Sequence, residues 1–230
     1  MRVADIFYSI QGEGALTGTP SIFIRASGCN LRCDWCDTPY TSWKPEGRNL
    51  SVSEILAAIE QYPTRYCVLT GGEPMLFGEM WDLARALKKQ GRHITIETNA
   101  TVAPNGIPCD LASLSPKFKN STPPASKGRA IRANHEKART NLPAIRSWIE
   151  SYGYQFKFVV SSAADIAEIT ELMGALKADV PPENIWLMPE DSLPRSPKLE
   201  GDFVIDACKA GGFRYCRRIH IDLFGHARGT

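Results

Sequence analysis

The 230-residue chain has no apolar run near the roughly 18 residues that a membrane helix requires. Its opening, Met1-Arg2-Val3-Ala4-Asp5, lacks the pattern of a secretory signal, so a cytoplasmic protein that neither spans nor leaves through a membrane is expected. Charge of one sign is also missing. The 27 Lys and Arg stand against 25 Asp and Glu, and a net +2 is too little for a dedicated nucleic-acid binder. No repeat or heptad is visible, and with 43% hydrophobic and 23% charged residues the composition excludes disorder and fibre. An even cysteine count is absent too. Seven cysteines, three of them crowded at Cys29, Cys33 and Cys36, suit a reduced metal-using protein better than a disulfide framework.

What is present is alternation. Residues 21–25, 66–70, 93–97, 111–114, 155–160, 184–187 and 218–221 are short and rich in β-branched and aromatic side chains, as strands are. Ser51-Val52-Ser53-Glu54 has the form of a capping box, with Val52, Ile55, Leu56 and Ile59 following at helical spacing. Met80, Leu83, Ala84 and Leu87 repeat that spacing before Gly91, and Ile166, Ile169, Met173 and Leu176 repeat it again. A fourth helix is expected over 142–152, closed by Gly153. Strand–helix–strand alternation implies a parallel sheet. A complete eightfold barrel takes about 250 residues, and 28–50 carry no periodic pattern. The expectation is therefore an α/β chain forming a partial βα-barrel of about six strands, one domain over residues 1–230.

One stretch differs. Between Lys117 and Arg146 eight basic residues face a single acid, Glu136, giving +7 and leaving −5 for the rest of the chain. Its Pro123-Pro124 and Ser126-Lys127-Gly128 carry turn chemistry, so it is expected to be a mobile loop.

Cys29-x3-Cys33-x2-Cys36 directly follows the first core strand. A structural zinc site closes four ligands, and common iron–sulfur clusters also take four thiolates. Three close thiolates can instead hold three irons of a [4Fe–4S] cube and leave the fourth open to a small molecule. The alternative is zinc completed by Cys67, Cys109 or a histidine. Against it, Cys67 alternates with Leu69 in a strand, which suits the core, and no second Cys-x-x-Cys pair exists.

This spacing resembles the radical S-adenosylmethionine superfamily, whose partial βα-barrels carry it after the first strand. The resemblance implies that Cys29, Cys33 and Cys36 hold the cluster and that S-adenosylmethionine chelates its open iron. It further implies reductive cleavage to a 5′-deoxyadenosyl radical that takes a substrate hydrogen. Under the same resemblance Thr70-Gly71-Gly72-Glu73-Pro74 stands where Glu73 would receive the methionine ammonium, and Trp35 lies beside the adenine.

Within the superfamily, Phe7-Tyr8-Ser9-Ile10-Gln11-Gly12-Glu13-Gly14, Ile22-Phe23-Ile24-Arg25, Cys36-Asp37-Thr38 and Ser115-Pro116-Lys117 are similar to the 7-carboxy-7-deazaguanine synthase family. The first of these reads as a strand end and a Gly-flanked turn, whose amides and Gln11 suit a heteroaromatic edge; the alternative is a solvent-facing hairpin. Members act as carbon–nitrogen lyases, contracting the ring of 6-carboxy-5,6,7,8-tetrahydropterin to 7-carboxy-7-deazaguanine with loss of ammonia, on the route to queuosine and related 7-deazapurines. The similarity implies that Trp35, Cys36, Asp37, Gly72, Glu73, Ser115, Pro116 and Lys117 contact S-adenosylmethionine. It implies that Ile10, Gln11, Gly12, Arg25 and Thr70 contact the pterin, with Arg25 on its carboxylate, and that the Thr38 hydroxyl helps to hold Mg2+. A late-strand loop that touches the cofactor reads Gln-Pro-Met-Asp in the family and Met188-Pro189-Glu190-Asp191 here. Glu97-Thr98-Asn99 ends a strand at the same edge and is weighted below Ser115-Pro116-Lys117. Members place their terminus by the substrate, so Thr230 is expected there, on a tail anchored by Ile219, Ile221, Leu223 and Phe224. A homodimer and a flavodoxin-type electron donor, docked on the +7 segment, complete the expectation. The rival is an activase for a glycyl-radical enzyme, which would need a face open to a partner protein.

Overall fold

The computed structural model describes residues 1–190 and 200–230. The chain opens with an antiparallel pair, β1 (Arg2–Ile10) and β2 (Pro20–Ala26), followed by α1 (Pro39–Ser42), β3 (Arg48–Asn49) and α2 (Val52–Ile59). Alternation then sets in with β4 (Tyr66–Gly71), α3 (Glu79–Lys89), β5 (His93–Thr98) and β6 (Leu111–Leu114). After it come α4 (Arg129–Ala138), α5 (Leu142–Ser151), β7 (Tyr154–Val160), α6 (Ala163–Leu176) and β8 (Ile185–Pro189). The chain closes with α7 (Glu200–Gly211), β9 (Arg214–Tyr215) and α8 (Ile219–Phe224). Among the described residues no helix is long and apolar enough to cross a membrane.

Among the described residues all the strands join one open sheet in the order β3-β1-β2-β4-β5-β6-β7-β8-β9. Every pairing from β2 to β9 is parallel, and β1 and β3 run antiparallel at one edge. The expected partial barrel is β2 with β4 to β8, extended by the short β9 and by the antiparallel strands.

Period two decides what each strand does. Ile22, Ile24 and Ala26 of β2, Cys67 and Leu69 of β4, and Phe156, Phe158 and Val160 of β7 are buried in the core beneath the helices. Their neighbours Phe23, Arg25, Val68, Thr70, Lys157 and Val159 face the opposite way, into the barrel. The helices meet this sheet as their spacing requires. The Ser51 hydroxyl accepts from Glu54 N at 3.3 Å while Glu54 accepts from Ser51 N at 2.8 Å, and Ile55 and Ile59 of α2 are buried. Met80, Leu83, Ala84 and Leu87 of α3 are buried as well.

Two expectations fail. Residues 218–221 are not a strand: Ile219 N donates to Gly12 O at 3.1 Å, and the chain turns there into α8. A helix rotates the apolar residues that a strand would have aligned, so Leu223 is 58% and Phe224 42% exposed, and neither anchors the tail. The basic segment is not a mobile loop either. It holds two short 3-10 turns and the ten-residue α4, which polar contacts rather than an apolar face fix to the protein. The β1–β2 turn, finally, is no solvent-facing hairpin, because Gln11 is buried at the end of the barrel.

Candidate active site

The carboxyl ends of the parallel strands surround a cavity of about 640 Å3, a volume typical of small-molecule sites. Another concavity, of about 710 Å3, lies before the amino ends of β4 and β5 around Tyr62, Arg65 and Arg92, and holds none of the motif residues.

Cys29, Cys33 and Cys36 all line the first cavity, and none is in a disulfide. Burial pushes the Cys29 thiol up to about 12 and the Cys33 thiol up to about 11, so these sulfurs ionise only with a cation to bind. Leu31 N and the Asn99 amide approach Cys29 Sγ at 3.4 and 4.0 Å, and Ser42 Oγ lies 3.2 Å from Cys36 Sγ. Hydrogen bonds to sulfur are among the features that tune an iron–sulfur cluster. Among the described residues no three His, Cys, Asp or Glu side chains converge on a single ion, and Cys67 and Cys109 pack in the core. This donor set fits a cluster that spreads three thiolates over several irons, and does not fit a closed zinc site.

Glycine brings the second motif against the first. A Cβ on Gly72 would lie 2.3 Å from Gly28 O and 2.7 Å from Cys29 Cβ, so any side chain there displaces the cysteine loop. Glu73 is not among the residues that border the cavity. Its buried carboxylate accepts from Met75 N at 3.0 Å, Thr98 Oγ1 at 2.8 Å and Asn99 N at 2.7 Å. Burial lifts its pKa to about 7 against these bonds. It braces the exits of β4 and β5, and leaves the backbone of Gly71 and Gly72 facing the cavity. Pro116 and Pro189 also stand back from the lining, and Asp191 lies outside the described residues.

The remaining expected residues do converge. Ile10, Gln11, Gly12, Arg25, Thr70, Trp35, Asp37, Thr38, Gly72, Ser115, Lys117, Met188, Glu190 and Thr230 border the one cavity. Lys117 Nζ donates to Ser115 Oγ at 2.7 Å and lies 5.4 Å from the centre of the Trp35 ring, whose Nε1 is fixed on Asn120 O at 2.9 Å. Thr38 makes no side-chain capping bond on α1, which leaves its hydroxyl beside Asp37, 3.3 Å away. Arg25 Nε is buried without a hydrogen bond, 3.6 Å from Asp5 Oδ2. The tail is held by Arg228 in place of Leu223 and Phe224. Its guanidinium lies 2.9 Å from Asp5 Oδ1, 2.8 Å from Glu46 Oε2 and 3.8 Å from the centre of the Tyr40 ring.

Sequence reasoning missed the most strongly charged group. Lys157, 5% exposed, places Nζ 2.6 Å from both Glu13 Oε2 and Glu97 Oε2, and Arg218 Nε lies 3.4 Å from Glu13 Oε1. Gln11 reaches Glu97 Oε1 at 3.5 Å, and His220 packs so closely on Gly12 that a Cβ there would lie 1.9 Å from Nδ1. Burial raises the Glu13 carboxyl, but Lys157 and Arg218 outweigh it and hold the pKa at about 2. The available signal was a lone cation in Phe156-Lys157-Phe158, at the parity opposite to both aromatic residues.

A Glu13 held near 2 contributes stability that is full above about pH 4.5 and fades as pH falls toward 2. Lys157→Met leaves two buried carboxylates facing each other. Urea unfolding should show a loss of about 3–5 kcal/mol at neutral pH that is partly recovered on acidification, as one carboxyl takes up a proton. A variant with the wild-type pH profile would remove the charge from this account.

Comparison with known proteins agrees with this geometry. The radical SAM superfamily model matches residues 23–140. The 7-carboxy-7-deazaguanine synthase of Rhodopirellula baltica is 40% identical over 231 residues, covering 100% of this chain and 89% of the relative. That of Halobacterium salinarum is 38% identical over 239 residues, covering 100% and 93%. The crystal structure of QueE from Escherichia coli superposes with a TM-score of 0.69 at 26% identity, covering 94% of this chain and 92% of that one. The chain is a radical SAM protein and belongs to the 7-carboxy-7-deazaguanine synthase family.

Proposed function

We propose that the chain makes 7-carboxy-7-deazaguanine from 6-carboxy-5,6,7,8-tetrahydropterin by radical ring contraction with release of ammonia. The observation that carries this reading is one cavity bordered both by three cysteines outside any disulfide and by the Arg25 guanidinium. When bound, the cluster and S-adenosylmethionine supply the radical that takes a substrate hydrogen, with S-adenosylmethionine regenerated at each turn.

The chain's own residues bind and orient. Arg25 borders the cavity and offers its guanidinium to the pterin carboxylate, a charge-assisted contact. Gln11 and the Gly12 backbone face the heteroaromatic edge, and Thr70 and Ile10 border the same space. The Lys157, Glu13, Glu97 and Arg218 group presents fixed, mutually balanced charge to the ring that must open and close. Burial lowers the pKa of His220, so a neutral imidazole faces the cavity beside Gly12. Trp35, Asp37, Ser115, Lys117, Met188 and Glu190 line the part assigned to S-adenosylmethionine, with the Gly72 backbone toward its methionine end. Glu73 supports that backbone from behind. The Thr38 hydroxyl supplies one Mg2+ ligand, and substrate oxygens and water supply the rest. The lyase class, a homodimer, a cytoplasmic location and service to queuosine belong to the same reading. The tail bordering the cavity speaks against an activase, which needs an open face.

Anaerobically reconstituted protein given carboxytetrahydropterin, S-adenosylmethionine and a chemical reductant should form 7-carboxy-7-deazaguanine. A full cluster with no deazaguanine product would overturn the reading. Cys33→Ala should lose cluster and product together, because two thiolates cannot hold the cube.

Lys119, Lys127, Arg129, Arg132 and Lys137 are exposed on the segment that packs against the cysteine loop. We read this face as the dock for an acidic, flavodoxin-type donor. Reduction by the protein donor should then slow steeply with salt while turnover with chemical reductant does not, and equal salt dependence of the two would rule the dock out.

Removing residues 225–230 should raise KM for the pterin about 10-fold or more, the equivalent of one charge-assisted contact, and leave uncoupled S-adenosylmethionine cleavage largely intact. Arg228→Ala, which unpins the tail without removing it, should act in the same direction by a smaller factor. An unchanged KM after truncation would mean that the tail takes no part in binding.

A further inference from the structure

The helix α4 has no part in the chemistry above and no apolar face. Of its ten residues only His135 is buried, at 1% exposure. That one side chain reaches the cysteine loop. Arg32 N donates to His135 Nδ1 at 3.1 Å, and His135 Nε2 lies 3.0 Å from Ser121 Oγ.

The tautomer follows from counting hydrogens. Ser121 has one hydroxyl hydrogen and gives it to Phe118 O at 2.6 Å. The ring must therefore donate to Ser121 from Nε2, which leaves Nδ1 as the acceptor for Arg32 N. Both nitrogens are then satisfied in a neutral imidazole, with no solvent beside it to replace either partner. Arg32 stands between Cys29 and Cys33. On the far side of Cys33, Asp34 N donates to Ser121 O at 2.9 Å. The two amides flanking Cys33 thus hang on His135 and on the residue that His135 holds.

Granting that Cys29, Cys33 and Cys36 bind the cluster, we propose that His135 is a positioning residue for it. The imidazole fixes the Cys29–Cys33 span so that the three sulfurs face the cavity together, and it thereby governs how long the cluster is retained. Partners one shell out from metal ligands commonly change metal affinity by about 10–100-fold when lost.

Two conservative variants separate the two bonds. His135→Asn places an oxygen near the position of Nδ1 and keeps the acceptor for Arg32 N, whereas His135→Gln places its amide near Nε2 and keeps only the Ser121 contact. His135→Phe keeps volume and loses both. Iron release from the anaerobic holoprotein to a chelator should be about 10-fold or more faster in His135→Phe and His135→Gln, and within about threefold of wild type in His135→Asn. In cluster-free protein, hydrogen exchange at the Arg32 amide should rank the variants in the same order, a readout independent of activity. Wild-type release from His135→Phe, or equal behaviour of the Asn and Phe variants, would overturn the proposal. If His135→Phe does not fold, Ser121→Ala, which takes the acceptor from Nε2–H, should still speed release, and wild-type release there would overturn it equally. A wild-type protein that takes up no cluster would instead overturn the ligand assignment on which the proposal rests, an outcome visible before any variant is made.

Discussion

The two-residue period of parallel strands buried on both faces is the constraint on which the rest depends. Each strand of this sheet must satisfy two environments at once. Its outward side chains meet helices and are apolar without exception in β2, β4 and β7. Its inward side chains are therefore free of the core, and near the carboxyl ends they become the site: Arg25 from β2, Thr70 from β4, Glu97 from β5 and Lys157 from β7. A slip of one residue in β2, β5 or β7 would bury a charge under helices and open the core to the cavity. Packing and chemistry thus fix the same register.

Placing charge inside a barrel has a cost that neighbours must offset. Lys157 alone at that depth would lose its proton, and either glutamate alone would gain one. Together with Arg218 they hold two positive and two negative charges within contact distance. That balance is why the pKa of Glu13 is held down at about 2 although its side chain is largely buried. It also gives the cavity a rigid pattern of donors and acceptors, made before any substrate enters, which is what selective recognition of a polar heterocycle requires. Arg25 differs in kind: its acid partner, Asp5, lies 3.6 Å away and is shared with Arg228.

What was legible in the sequence was local. The Ser51–Glu54 capping box, the apolar spacing of α3 and the cysteine motif each lie within about a dozen residues, so their physics survives in linear order. What failed needed the third dimension. The charged group draws on residues 13, 97, 157 and 218, and only β7 gave a hint of it. The α4 segment read as a loop because it has no apolar stripe; one histidine and several polar contacts take the place of one. Residues 218–221 read as a strand from their β-branched side chains, whereas the chain turns into α8 there with Ile219 N on Gly12 O. For Glu73 the motif gave a position but not the three donors, Met75 N, Thr98 Oγ1 and Asn99 N, that its carboxylate meets.

Asp5 joins the two ends of the chain at the site. One of its oxygens lies 2.9 Å from Arg228 of the tail, and the other lies 3.6 Å from Arg25. Glu46 also meets Arg228, so the tail guanidinium has two carboxylates, while Arg25 shares Asp5 across the longer distance. Arg25 is therefore the less neutralised of the two, and it borders the cavity. The carboxylate that pins the tail thus sits behind the cation of the site, so one contact ties both ends of the chain to the charge of the cavity.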